Sequence, residues 1–395
     1  MIAVAALGSV LIVRWLNPEP VYQSRPLSEW LVQLRDSNPS NRFEAMTAVQ
    51  AIGPEAVPRL TNELVRMPGG LQRLARAISD KIPERLKRVL RTIYNPSDEV
   101  VQKLMALQAI GMLGTNGTAA VPAVTAVLRT SEVGLSSAAA AALSNLGTNA
   151  LPGLIPALDD GDFNIRANAC YALRELGKNA APAVPRLATI VAEERGAIVD
   201  VAFLTLSTIG EAAVPALTNL ISDPDPSIRE RAVRALGYIR QDARPALQSV
   251  IRLGADPSEN VRAAAIQAIG MIDWVGEESG EALLGAIGDP AWKVREAAAK
   301  ALVYRVGVVR SNLKKVCELL RDDSAAVRAE GARVIGQIGE HGRSAAPLLK
   351  ALVTETNEAV RLNAMEALES VTGMSAGGRK IEQAGARKLE ERSFQ

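Results

Sequence analysis

The pattern Val/Ile-Arg-x-x-Ala recurs through this chain and sets Arg229, Arg262, Arg295, Arg328 and Arg361 thirty-three residues apart. A fixed period of this size means that one short supersecondary unit is stacked on copies of itself, which argues against two or three unrelated globular domains. Arg166 continues the register toward the N-terminus and Val199 fills the slot between Arg166 and Arg229. Ser136 and Gln102 occupy it in degenerate copies, and Arg42 marks the first copy. About ten units result.

Within a unit the punctuation is that of two helices. Gly53, Gly117, Gly147, Gly177 and Gly210 are each followed five residues on by Pro58, Pro122, Pro152, Pro182 and Pro215. That spacing predicts a helix ending at glycine and a second helix with proline in its first turn. Ala213 to Ile221 reads as an outer helix, and Asp223-Pro224-Asp225-Pro226-Ser227 cannot continue it. From Ile228 the apolar positions Ile228, Ala232, Ala235, Leu236 and Ile239 form one buried stripe of the second helix, and Ser227 with Glu230 reads as a capping box. The same reading fits Val261 to Ile269, Val294 to Leu302, Val327 to Ile335 and Val360 to Leu368. Aromatic residues are only 3% of the chain while AVILMFWYC make up 48%, so the core must be Ala, Leu, Ile and Val in closely packed helices. The predicted class is all-α. A helix pair of this size cannot cover its own apolar face, so neighbours must stack and share one core.

The proline-bearing first helix, the Asp-containing turn and the Val-Arg that opens the second helix resemble HEAT repeats, in particular the short bacterial HEAT-like repeats of the phycobilisome-lyase type, over about Leu27 to Thr372. The resemblance implies a right-handed α-α superhelix, an armadillo-like solenoid whose second helices line a concave surface and hold protein or peptide partners.

An acidic residue stands six positions before the arginine in seven copies: Asp36 and Arg42, Asp160 and Arg166, Asp223 and Arg229, Asp256 and Arg262, Asp289 and Arg295, Asp322 and Arg328, Glu355 and Arg361. An acid in the turn can accept hydrogen bonds from the next helix's free N–H groups and pair with an arginine in its first turn. The favoured reading is a structural ladder that fixes the pitch of the stack; the alternative is a row of arginines that recognises an acidic partner.

Residues 1–16 begin with thirteen uncharged, mostly apolar residues, followed by Arg14 and Trp15. An uncleaved single-span membrane anchor is favoured over a cleaved secretory signal and over a buried capping helix, although the apolar run is short for a bilayer. Residues 17–26, with three prolines, read as an extended tether. The stretch Glu19 to Leu31 is similar to the lead-in of membrane-tethered HEAT proteins. The flanking Arg14, Arg25 and Arg35 do not decide which side of the membrane the repeats face. The repeats themselves span 27–373, interrupted at 66–96 by a basic amphipathic helical insertion. Its residues Arg73, Arg76, Lys81, Arg85, Lys87, Arg88 and Arg91 read first as the solvated side of an enlarged repeat and second as a contact for anionic lipid. Residues 374–395 read as a flexible charged tail.

Lys and Arg number 45 against 43 Asp and Glu, a net charge of +2, so there is no global electrostatic case for nucleic acid. One histidine, His341, and two cysteines, Cys170 and Cys317, leave no expected metal or cofactor site and no disulfide framework. The iron site of deoxyhypusine hydroxylase, which resembles this fold, uses several His-Glu pairs that are missing here. Trp274 and Trp292 read as isolated helix-packing residues. The expected function is therefore a non-catalytic, membrane-anchored scaffold for protein partners, with no small-molecule substrate. An accessory enzyme or cofactor-loading factor of the bilin-lyase type is the alternative.

Overall fold

The computed structural model describes residues 19–65 and 96–373. The expected anchor, the insertion with its seven basic candidates, and the tail lie outside these residues, apart from Pro96 at the edge of the insertion. The described chain is mostly helical and forms two compact units, one ending at Thr205 and the other beginning at Leu206.

In the first unit, a two-stranded hairpin (β1, Val21–Tyr22; β2, Arg25–Pro26) leads into α1 (Leu27–Gln33), α2 (Pro39–Ile52) and α3 (Val57–Val65). There follow α4 (Pro96–Leu113), α5 (Val121–Leu128), α6 (Val133–Asn145), α7 (Leu151–Ala157), α8 (Phe163–Leu176) and α9 (Val184–Glu193). The boundary between units falls within α10 (Ala197–Ile209). The second unit continues with α11 (Val214–Leu220), α12 (Pro226–Ile239), α13 (Leu247–Arg252), α14 (Glu259–Ile272), α15 (Glu277–Ala286) and α16 (Trp292–Leu302). It ends with α17 (Val306–Ser311), α18 (Leu313–Val316), α19 (Ala325–Gln337), α20 (Ala346–Leu352) and α21 (Glu358–Thr372).

The expected extended tether is partly folded. Gln23 and Ser24 take positive φ values of 48° and 64° and close the hairpin, and Glu19 accepts from the backbone N–H and hydroxyl of Ser28. Arg25 stacks 3.9 Å over the Trp30 ring, and Trp30 is fully buried. Residues 19–26 thus fold back onto α1, because one carboxylate and one aromatic ring hold them there.

Most repeats turn between their helices through a short 3-10 segment, where the glycine-to-proline spacing suggests only a break. Gly53, Gly147, Gly177 and Gly210 all have positive φ, which only glycine adopts without strain, and proline follows in the first turn of α3, α7, α9 and α11. Gly117 departs from this expectation. Gly114 holds the left-handed position in that repeat, and Gly117 is buried where a Cβ would meet the Leu146 side chain at 2.9 Å.

The second helices carry the core. Ile228, Ala232, Ala235, Leu236 and Ile239 of α12 are all buried, as are Val261, Ala265 and Ile269 of α14. Each buried Leu or Ile contributes about 1.5–3 kcal/mol relative to exposure. In the second unit α12, α14, α16, α19 and α21 pack each on the next, as in a solenoid. Small residues set their approach: a Cβ on Gly270 would lie 2.9 Å from that of Ala301, and one on Gly336 would lie 3.1 Å from the Ala367 backbone. The capping of α12 differs from expectation. Asp225, not Ser227, is the N-cap residue, and its carboxylate accepts from the Ser227 N–H, since Pro226 already occupies the first helical position.

Two described stretches, Glu99–Leu128 and Ala197–Leu220, are long and apolar enough to cross a membrane by length and composition. Leu107, Ile110, Phe203 and Leu206 within them are buried in the protein, whereas Leu204 is exposed.

Candidate functional site

The seven acid-arginine pairs meet, but not as side-chain partners within one repeat. In every copy the arginine Nη1 donates to the backbone carbonyl of the acid six residues earlier: Arg42 to Asp36, Arg166 to Asp160, Arg229 to Asp223, Arg262 to Asp256, Arg295 to Asp289, Arg328 to Asp322 and Arg361 to Glu355, at 2.7–3.2 Å. The aspartate carboxylates of the turns accept instead from the backbone N–H two residues on, at 2.8–3.0 Å for Asp36, Asp160, Asp223, Asp256, Asp289 and Asp322. The turn is too tight for the same carboxylate to face its own arginine, so the guanidinium reaches the next repeat.

In the second unit that reach makes four consecutive rungs. Arg229 grips Asp256 through two hydrogen bonds of 2.8 and 2.9 Å, and Arg262 grips Asp289 at 2.8 and 3.0 Å. Arg295 holds Asp322 at 2.6 and 2.8 Å and also contacts Asp323, and Arg328 holds Glu355 at 2.8 and 2.7 Å. A two-point guanidinium-carboxylate contact is directional as well as charged. Burial pushes the carboxyls of Asp256, Asp289 and Asp322 up, but the hydrogen bonds from Arg229, Arg262 and Arg295 and from the turn N–H groups outweigh it and hold all three below the ordinary carboxylate value. Those hydrogen bonds raise the three arginines further.

Trp274 and Trp292, unlike Trp30, do not pack inside the protein. Trp274 and Trp292 are 56% and 46% exposed, in company with Phe43, Phe163, Tyr171, Tyr238 and Tyr304. Of the ten aromatic side chains among the described residues, these seven are exposed, and all lie on a second helix or just past its end. Their placement is periodic. Trp292 and Tyr304 lie on one stripe of four-residue steps along α16 and its end, and Phe163 and Tyr171 occupy the equivalent stripe of α8. Tyr171 and Leu204 are thirty-three residues apart, as are Tyr238, Met271 and Tyr304 in the row one turn further on. That period is visible in the sequence, but alignment on the arginines draws attention to the turns and away from it.

Tyr304, Met271 and Trp274 wall a cleft of about 540 Å³ together with Ile239, Arg240, Gln241, Asp242 and Gly270. Arg240 has φ 61° and ψ −133°, the backbone conformation of Gly53 (61°, −140°) and Gly177 (55°, −132°) at the same place in their repeats. A side chain there costs about 1–3 kcal/mol. The Arg240 side chain is exposed and has no hydrogen-bond or ion-pair partner among the described residues.

A family model described as HEAT repeats matches residues 82–174, 214–303 and 313–382, more than half of the chain. The chain is a HEAT-repeat protein. No curated protein sequence matches it. Among solved structures it is similar to the karyopherin Kap121p bound to the extreme C-terminus of the protein phosphatase Cdc14p, with 14% identity and a TM-score of 0.57 over 94% of this chain and 44% of that one. Kap95 in its complex with Nup1 gives 13% identity and a TM-score of 0.51 over 91% of this chain and 58% of that one. The complex of CpcE and CpcF of phycocyanin lyase from Nostoc sp. PCC7120 gives 27% identity and a TM-score of 0.35 over 38% of this chain and 96% of that one. The chain thus spans about half the length of the karyopherins, and at these identities the likeness is one of fold.

No group of three or more His, Cys, Asp or Glu side chains among the described residues converges to hold a metal ion. Both cysteines of the HEAT repeats are free thiols. Burial pushes Cys170 up to about 12, so it behaves as a core residue, whereas Cys317 is half-buried. One junction departs from the HEAT pattern. Between α14 and α15 the buried Asp273 accepts from the Gly276 N–H and the Ser279 hydroxyl, and the buried Arg305 donates to the carbonyls of Gly276 and Asp273. This pair stands where other junctions have the glycine turn of Gly53, Gly147, Gly177 and Gly210.

Proposed function

We propose that this HEAT-repeat protein is a non-catalytic scaffold that holds protein partners along the face presented by its second helices, and that its N-terminal apolar segment tethers it to a membrane. One observation carries the reading: the core is built from Ala, Leu, Ile and Val, while most of the few aromatic side chains stand exposed in register on one set of helices. Large, stiff aromatic side chains are the commonest anchors of protein interfaces, and exposed apolar surface at this density marks a binding face. The turn arginines are engaged with turn carbonyls and carboxylates, which supports a structural role for them and leaves recognition to the aromatic rows. Kap121p and Kap95, which share the fold, are protein-bound in the structures named above. The tether rests on the uncharged residues before Arg14.

Photo-crosslinking residues placed in the full chain at Tyr171 and Tyr304 should give discrete protein adducts in cells, whereas the same group at the exposed outer-helix residues Gln248 and Pro347 should give none. Equal adducts from both faces would overturn the binding face. The full chain should also sediment with membranes, resist high salt and dissolve in detergent; recovery in the soluble fraction would remove the tether and leave the binding face standing. A metal or chromophore that copurifies in stoichiometric amount would contradict the non-catalytic reading.

A further inference from the structure

The cleft beside Arg240 has a chemistry of its own. Other exposed or half-buried cations of the second helices in the second unit are paired: Arg234 with Glu230, Lys300 with Glu296 and Arg333 with Glu330 on their own helices, and Lys293 with Glu259 of the second helix before it. Arg240 has no such partner among the described residues, and it occupies the positive-φ position that Gly53, Gly114, Gly147, Gly177, Gly210 and Gly339 fill in six other turns. Glycine there would relieve the strain, so the arginine side chain must do something that the fold does not need. Against it stand the apolar surfaces of Met271, Trp274 and Tyr304. Gln241 and Asp242 on the same wall supply an amide and an acceptor. A small free anion would meet repulsion from Asp242, whereas a polypeptide offers both a carboxylate for Arg240 and N–H donors for Asp242 and Gln241.

We propose that this cleft docks a peptide segment of a partner protein in which an acidic residue lies next to a large apolar side chain. The carboxylate pairs with Arg240, the apolar side chain lies against Trp274 and Tyr304, and the peptide N–H groups meet Asp242. The assignment rests on the reading of the second-helix face as the partner surface and specifies what one part of that face recognises.

The test is selection from a displayed library of random twelve-residue peptides against the purified full chain, followed by binding of the selected peptides to Arg240→Gly, Trp274→Ala and Phe163→Ala variants. The expected result is enrichment of Asp or Glu next to Leu, Phe or Trp, with binding weakened at least about tenfold by Arg240→Gly and by Trp274→Ala and unchanged by Phe163→Ala. Arg240→Gly restores the residue type of the other turns, so its melting temperature should stay level or rise by roughly 1–3 °C, which separates lost recognition from lost folding. Peptides that bind Arg240→Gly as tightly as the parent, or a basic consensus, would overturn the cleft assignment. If such peptides lose binding in Phe163→Ala, the wider face stands without it. If no peptide is enriched, the cleft assignment falls, and the crosslinking experiment decides the wider face separately.

Discussion

The two compact units are built from the same repeat, yet they are held by different means. In the second unit Arg229, Arg262, Arg295 and Arg328 each tie their own turn and grip the carboxylate of the next, four rungs without a break. In the first unit Arg166 approaches Glu194 only to 3.6 Å and leaves its Nε without a partner, and among the described residues Arg42 ties only its own turn. The arginine slot at Ser136 holds a buried hydroxyl that donates to the Leu128 carbonyl and accepts from Asn168. What differs is the acid that the next repeat offers. From Arg229 to Arg328 the residue twenty-seven further on is an Asp or Glu in the turn, whereas Arg166, although also thirty-three residues before the next slot at Val199, has Glu193 at that distance, and Glu193 is still part of α9. A ladder needs an acid in the turn itself, whereas apolar stacking does not.

The comparison can be broken most forcefully by acid. Asp256, Asp289 and Asp322 are held below the usual carboxylate value in the folded chain, so their contribution is complete above about pH 4, the unfolded value, and disappears as pH falls through the lower folded values. Hydrogen exchange followed by segment should show the second unit losing protection below about pH 4 more steeply than the first. Equal loss in both would mean that the rungs contribute little. A single substitution gives a smaller effect. Asp289→Ala removes both the partner of Arg262 and the turn acceptor of the Ala291 N–H, and should cost about 2–3 kcal/mol in urea unfolding, while Asp160→Ala, which loses one neutral N–H contact, should cost about 0.5–1.5 kcal/mol. The smallest effect is a coupling. Arg262 holds the Asp289 carboxylate and Arg295 holds the Asp289 carbonyl, so Arg262→Ala and Arg295→Ala act on one turn, and their double variant should lose less than the sum by about 0.5–1 kcal/mol. Strict additivity would show that each arginine acts only within its own repeat.

Much of this architecture was legible in the sequence because helix pairs announce themselves locally. The apolar steps from Ile228 to Ile239, the glycine-to-proline spacing and the acid six before each arginine are all short-range signals. The side-chain partner of each arginine was not legible, because it lies twenty-seven residues away and depends on how one helix pair sits on the next. The exposed aromatic rows were missed for a related reason. Trp274 and Trp292 taken singly read as core residues, since isolated tryptophans usually are; only the rows they share with Tyr304 and Met271, and their exposure, show otherwise. Arg240 shows no anomaly in the sequence until it is set beside the glycines of the equivalent turns.

On the proposed function, charged turns hold the stack and aromatic rows bind. The most direct test of that division compares two full-chain variants, Tyr238→Ala/Trp274→Ala/Tyr304→Ala and Arg262→Ala/Arg295→Ala, for melting temperature and for capture of the protein that crosslinks at Tyr304. The aromatic variant should melt within about 2 °C of the parent and lose capture, and the arginine variant should melt several degrees lower yet capture normally below its own transition. The reverse pattern, with the arginine variant stable but unable to capture, would contradict the division and make the turns the recognition surface.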